Sequence, residues 1–197
     1  MKTGPYDPQI SGQTKYASVA ALTRQEYDPP LDETRMPDCL NETDTAALRR
    51  VAAICCSDLL RTKQTADFIV QAGLTGHGAA IDYLPELREI RFDVAAVCTE
   101  QDYDNRGSDA VRQGFIDGFI NDSLLESRNE IKQRCDGLLE LMRNETKETL
   151  YISHTFFIKI FLAYLEEPTI FEQPSLITRF IDPRQRIMKF CEITSLP

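Results

Sequence analysis

The position in this 197-residue chain best suited to chemistry is an arginine at the junction of a strand and a helix. The apolar run Val51 to Cys56 stops at Ser57, and a helical pattern then opens with Arg61 in its first turn. A helix N-terminus offers unpaired N–H groups and a partial positive charge, which suits an anion. Arginine adds a planar fork that matches phosphate oxygens. Two other stretches carry useful side chains. His154 ends the apolar run Tyr151-Ile152-Ser153 and precedes a second helical pattern. The only other histidine, His77, lies in the loop pattern Gly76-His77-Gly78. Glu89 belongs to the charged run Glu86-Leu87-Arg88-Glu89. A guanidinium, an imidazole and a carboxyl converging on one tetrahedral anion would hold a phosphoryl group and move a proton.

The elements that must position these groups alternate between strand and helix. Val51 to Cys56, Ala79 to Leu84 and Thr149 to Ser153 read as strands. Helices are expected at Thr14 to Leu22, at Asn41 to Arg50 with Asn41 or Thr43 as cap, and at Leu59 to Ala72 with Gly73 as its stop. Two more are expected, an amphipathic one at Ser123 to Arg143 and a buried one at Phe156 to Leu165. In the amphipathic one Leu124, Ile131, Cys135, Leu138, Leu139 and Met142 face inward. Thr178 to Ile193, with Asp182-Pro183 at its turn, reads as a closing hairpin. This order predicts one α/β domain over residues 1–197, a three-layer sandwich with a mostly parallel sheet and a C-terminal hairpin.

Two segments fall outside the alternation. Residues 1–42 hold turn signals at Gly4-Pro5, Asp7-Pro8, Ser11-Gly12, Asp28-Pro29-Pro30 and Met36-Pro37, and read as an irregular segment that lines a site. Residues 101–122, rich in Asp, Asn and Gly, read as an insertion with little pattern. Within it Phe115 and Phe119, with Tyr103, read as a satellite core rather than a lid over substrate.

Bulk composition narrows the classes of partner. Apolar content of 42% and charged content of 27% are ordinary for a globular protein. A net charge of −9 argues against a nucleic-acid backbone or an anionic membrane. No run approaches the ~18 apolar residues of a membrane span; Lys159 breaks the longest candidate. The six cysteines show neither metal spacing nor a disulfide framework, which predicts reduced thiols and a cytoplasmic setting. No metal and no cofactor is expected.

Three stretches, in order, resemble elements of the histidine phosphatase superfamily (phosphoglycerate-mutase-like). Ser57-Asp58-Leu59-Leu60-Arg61-Thr62-Lys63-Gln64-Thr65-Ala66 resembles its Ser-Pro-Leu-x-Arg-Ala-x-Gln-Thr-Ala element. Leu87-Arg88-Glu89-Ile90-Arg91-Phe92 resembles Leu-x-Glu-x-x-Phe-Gly, with Asp93 in place of the glycine. Tyr151-Ile152-Ser153-His154-Thr155 resembles the strand ending in Ser-His-Gly, with Thr155 in place of the glycine. Asp28-Pro29-Pro30-Leu31-Asp32-Glu33 is similar to a Pro-Leu-Thr-Glu segment, with Arg35 where a glycine is expected.

The resemblance implies a phosphomonoester hydrolase that works through a phosphohistidine. It makes Arg61 and His154 catalytic holders of the phosphoryl oxygens and Glu89 the acid that protonates the leaving oxygen. Thr155, Thr3 and Ser57 join Arg61 and His154 as the phosphate-binding set. The partner would be a small phosphorylated metabolite or a phosphoprotein.

The nucleophilic histidine of the family's first motif, Arg-His-Gly-x-Thr, has no counterpart here. Met1 and Thr3 fit the tail of that motif, at its glycine and threonine; alternatively Lys2-Thr3-Gly4 is a decayed Arg-His-Gly. Either alignment leaves this chain with no nucleophile and no strand before it, by truncation in the first case and by genuine loss in the second. Negligible phosphatase turnover and an open strand edge prone to self-association are the expectations.

A cysteine-dependent phosphatase is the alternative, since Cys55 to Thr62 spells Cys-x5-Arg-Thr. Against it, Ser57-Asp58-Leu59-Leu60 lacks glycine to wrap an anion, and Asp58 would repel one. A catalytically dead phosphate-binding or scaffold protein is the third reading.

Overall fold

The computed structural model describes residues 1–4, 15–76, 78–185 and 187–194. His77, Thr14 and the turn signals from Pro5 to Gly12 lie outside the described residues. The helices are α1 (Lys15–Thr23), α2 (Glu42–Leu48), α3 (Leu60–Gln71), α4 (Val94–Val97), α5 (Glu100–Arg106), α6 (Ser108–Asn121), α7 (Arg128–Asn144) and α8 (Thr155–Glu166). The strands are β1 (Ala53–Cys56), β2 (Ala80–Tyr83) and β3 (Thr149–Ile152).

The strands form a parallel sheet in the order β2-β1-β3. Central β1 is buried along its whole length and reads as a continuous apolar run for that reason. Its side chains alternate between two cores. Ile54 and Cys56 join Ala66, Ile69, Leu150 and Ile152 on one face. Cys55 joins Phe92, Phe115, Phe157 and Ile160 on the other. The sheet thus lies between two apolar layers supplied by helices.

Local signals set most boundaries. Asn41 closes a capping box with Asp44 ahead of α2. Gly73, at φ 64°, lies just past α3 in the left-handed region that a β-carbon disfavours. The helix expected from Ser123 starts instead at Arg128. Asp122, at φ 54°, ends α6, and Ser127 with Glu130 builds a capping box that opens α7. Ile131, Cys135 and Leu138 face inward as expected.

Two expectations are corrected. Residues 101–122 are two helices rather than a patternless insertion. Val111, Phe115 and Phe119 recur on one face of α6 and are buried in the larger core, with Tyr103 packed against it. The glycines that suggested a loop allow close packing: a Cβ at Gly114 would strike the Val97 carbonyl of α4. The C-terminal hairpin is absent among the described residues. Pro174–Arg179 is a 3-10 helix, and the tail beyond makes turn bonds within itself and backbone bonds to residues 2 and 3. Lys2 N–H donates to the Glu192 carbonyl at 3.1 Å, and Cys191 N–H donates to the Thr3 carbonyl at 3.4 Å.

Residues 1–3 run parallel along the outer edge of β3, with Lys2 bridged to Ser153. Thr3 N–H donates to the Ser153 carbonyl and Ser153 N–H to the Met1 carbonyl, both at 2.9 Å. The Met1 ammonium donates to the Tyr151 carbonyl at 2.6 Å. Beyond Met1 this edge borders an apolar cavity of 410 Å³ whose lining includes Leu138, Met142, Leu150, Tyr151 and Phe161. Among the described residues, no helix is long and apolar enough to cross a membrane.

Candidate functional site

β1 and β3 are neighbours, so the residues that follow them share the crevice at the carboxyl end of the sheet. That is where open parallel sheets place their ligands. Ser57 follows β1, and His154 follows β3 as the N-cap of α8. Although 97 residues apart, Ser57 Oγ and His154 Nε2 stand 2.9 Å apart. Arg61, in the first turn of α3, donates from Nη2 to His154 Nδ1 at 3.0 Å. All three side chains are buried, with Ser57 at 0%, Arg61 at 3% and His154 at 3% relative exposure.

The partners fix the imidazole's state. A guanidinium only donates, so Nδ1 accepts. Burial, reinforced by the charges of Arg61, Arg134 and Lys2, drives the His154 pKa well below its ordinary value. The ring is therefore neutral, its proton sits on Nε2, and that N–H donates to Ser57 Oγ. Thr62 steadies the turn, its hydroxyl lying 2.8 Å from the Ser57 carbonyl and 2.7 Å from that of Leu59.

Arg61 has a second partner that the sequence reading did not name. Its Nη1 donates to Asp28 Oδ1 at 2.7 Å. Asp28 Oδ2 accepts from the N–H of Leu60, the first residue of α3. Leu59, the N-cap residue, has no capping side chain, and Asp28 supplies that function from another part of the chain. The available signal was an acidic residue before Pro29-Pro30 in a segment expected to line the site.

Glu89 stands at the start of the other helix. Its carboxylate accepts from Phe156 N–H at 3.1 Å and Phe157 N–H at 2.9 Å, in the first turn of α8, and from Ile90 N–H at 3.1 Å. Burial pushes its pKa above the ordinary value, partly offset by these amides and by Arg61. Burial thus favours the protonated carboxyl, and the amides and Arg61 favour the carboxylate. Glu89 also lines an open polar cavity of 820 Å³ with Arg24, Arg88, Arg91 and Arg134 and with the acidic Glu86, Glu126 and Glu130; Arg61 and His154 are not in its lining. Arg88 grips Asp58 through two bonds of 2.5 and 2.6 Å, so the Asp58 charge is neutralised beside the site.

The sequence-predicted residues thus fall into two groups. Arg61, His154 and Ser57 touch directly, and Glu89 binds the helix that His154 caps. Thr155 opens α8. The Thr3 hydroxyl meets the Arg61 main chain rather than its guanidinium, donating to the carbonyl at 3.1 Å, and lies 3.3 Å from the Thr65 hydroxyl. Cys55 does not join them. It lies in the core face of β1, and burial pushes its thiol up to about 11, which removes the thiolate that a cysteine nucleophile requires. Among the described residues no group of His, Cys, Asp or Glu side chains could hold a metal ion.

Comparison with known proteins places the chain. The sequence pattern of the histidine phosphatase superfamily (branch 1) matches residues 12–176. No curated protein sequence matches the chain. Solved structures share its fold. A protein described as mycobacterial hydrolase 1 has a TM-score of 0.52 at 18% identity, over 89% of this chain and 80% of its own. Phosphoserine phosphatase from Entamoeba histolytica, in complex with 3-phosphoglyceric acid, has a TM-score of 0.51 at 20% identity, over 87% of this chain and 81% of its own. Phosphoglycerate mutase from Bacillus anthracis str. Sterne has a TM-score of 0.50 at 13% identity, over 85% and 78%. With the match running from before α1 into the segment after α8, the chain belongs to branch 1 of the histidine phosphatase superfamily.

Proposed function

We propose that this chain binds a phosphomonoester at the carboxyl end of its sheet and turns it over negligibly. Arg61 and His154 hold the phosphoryl oxygens, Ser57, Thr155 and Thr3 shape the surrounding pocket, and Glu89 faces the leaving oxygen as the proton donor. The observation that carries this reading is the contact between Arg61 Nη2 and His154 Nδ1 at 3.0 Å, with Glu89 bound to the helix that His154 caps. Cations stabilise the charge that spreads over the equatorial oxygens during phosphoryl transfer, and a buried carboxyl can protonate the departing alkoxide.

The family reaction needs a second imidazole to attack phosphorus. In this chain Met1, Lys2 and Thr3 lie along β3 beside His154, and none is a histidine. Losing a covalent nucleophile removes on the order of 10⁶ in kcat. The buried, neutral His154 is spent on Ser57 and Arg61. Among the described residues the site therefore has groups for recognition and proton transfer and no second imidazole beside His154.

The ligand best suited to the pocket is a small phosphorylated metabolite with a second acidic group. Arg91 lines the cavity beside Glu89 and would meet that group, while in the same lining Arg88 is paired with Asp58 and Arg24 with Glu26 and Asp93. Solved neighbours of the same fold hold 3-phosphoglyceric acid and phosphoserine, which have this character. Calorimetry with phosphoserine, paired with a p-nitrophenyl phosphate assay at micromolar protein, tests the reading. Binding that Arg61→Ala abolishes, with no turnover above background, is the expected result. Turnover that depends on His154 would overturn the claim of inactivity.

A further inference from the structure

The donors that would hold a phosphate in this pocket are already occupied, and one carboxylate takes the most important of them. Asp28 Oδ1 accepts from Arg61 Nη1 at 2.7 Å, and Asp28 Oδ2 accepts from the first amide of α3. A guanidinium and a helix N-terminal amide are the pair of donors that an oxyanion seeks. Arg61 Nη2 goes to His154 at 3.0 Å, and the remaining ring nitrogen goes to Ser57 at 2.9 Å.

Exposure separates the members of this cluster. The Asp28 side chain is 28% exposed and that of Arg61 only 4%. Asp28 is therefore the more accessible member of the pair. The backbone around it is held: Tyr27 N–H donates to the Ala21 carbonyl at 3.3 Å, and Leu31 N–H donates to Gln64 Oε1 at 2.8 Å. Pro29 and Pro30 add fixed φ angles. Rotation of the Asp28 side chain is the small movement that would clear a path to Arg61.

We propose that Asp28 is the resident anion of the phosphate pocket, and that a phosphate binds by displacing its carboxylate from Arg61 and the α3 amide. Asp28 then sets the affinity of the site. This inference rests on the reading of Arg61 and His154 as phosphoryl-binding groups. Displacement exchanges a monoanion for a dianion on the same donors and breaks no covalent bond. The freed carboxylate returns to water, so its desolvation is recovered. A neutral residue at this position would remove both the competitor and the repulsion that an incoming anion meets.

Calorimetry with inorganic phosphate at constant ionic strength tests the proposal on the wild type, Asp28→Asn and Asp28→Asn/Arg61→Ala. The amide oxygen of Asn can still accept from the α3 N–H, which preserves the cap. Asp28→Asn is expected to bind phosphate at least about tenfold more tightly than the wild type. The double variant is expected not to bind. Equal or weaker binding by Asp28→Asn, with wild-type binding still dependent on Arg61, would overturn the proposal alone and make Asp28 a positioning residue. No binding by any of the three would also remove the reading of the site on which the proposal rests. A second measurement needs no substitution. In the wild type the amide resonance of Leu60 is expected to shift as phosphate saturates the site; saturation with that resonance unmoved would refute displacement.

Discussion

Two helices point their N-terminal ends at the site, and each end is covered by a carboxylate from elsewhere in the chain. At α3 it is Asp28, partly exposed and ion-paired with Arg61. At α8 it is Glu89, buried, held by backbone amides and pushed above its ordinary pKa. The positions are alike but the surroundings differ. The first is paired with a guanidinium, while burial raises the cost of charging the second. The first is suited to trading places with another anion, and the second to holding a proton. The partner and the depth of a carboxylate decide its chemistry more than its place at a helix start.

Removing the guanidinium should break this contrast most severely. Arg61→Ala takes away the partner of Asp28 and leaves His154 Nδ1 without its donor. Breaking a buried ion pair costs about 3–5 kcal/mol, and the partial exposure of Asp28 places the expected loss near the low end. Urea denaturation of the variant and the wild type would measure it; a loss well under 1 kcal/mol would show that Arg61 and Asp28 are not coupled as drawn.

Glu89 gives a smaller effect with a more specific signature. Glu89→Ala leaves the amides of Phe156 and Phe157 without their acceptor, at a cost of about 2 kcal/mol. Glu89→Gln keeps an acceptor oxygen and should lose less than half of that. If the two variants melt together, the contacts to α8 contribute nothing to stability.

The pH dependence is the smallest expected effect and the sharpest test of the difference between the two carboxyls. The Glu89 pKa is raised in the folded state above its ordinary 4.5. The folded protein therefore holds this proton to higher pH than the unfolded chain. The associated stability is fully present below the ordinary value and is lost as pH rises through the folded one. Wild type should thus lose stability relative to Glu89→Gln as pH climbs above 4.5. A difference between the two that is flat with pH would show that burial does not raise this group.

Much of this arrangement was legible because it is local. Ser57 to Ala66 carries a strand end, a turn and a helix start in one stretch, and Ser153-His154-Thr155 repeats that pattern. A parallel sheet then brings the two ends together. The contact between Asp28 and Arg61 was hidden, since it depends on the path of a proline-bearing loop rather than on periodicity. The helical face of Val111, Phe115 and Phe119 was masked by glycines whose role is close packing. The tail looked like a hairpin because residue alternation cannot say which segment will supply the backbone partners.

The pairing of residues 1–3 with β3 has a practical consequence for handling the protein. Ser153, the residue just before His154, takes its outer backbone bonds from Met1 and Thr3. The Met1 amine is buried, and burial lowers its pKa to about 5. A purification handle fused ahead of Met1 would have to thread past the sheet beside the imidazole. Trimming Met1 through Thr3 with an aminopeptidase would strip the outer support from that strand. Affinity tags, dyes and surface anchors are better attached elsewhere.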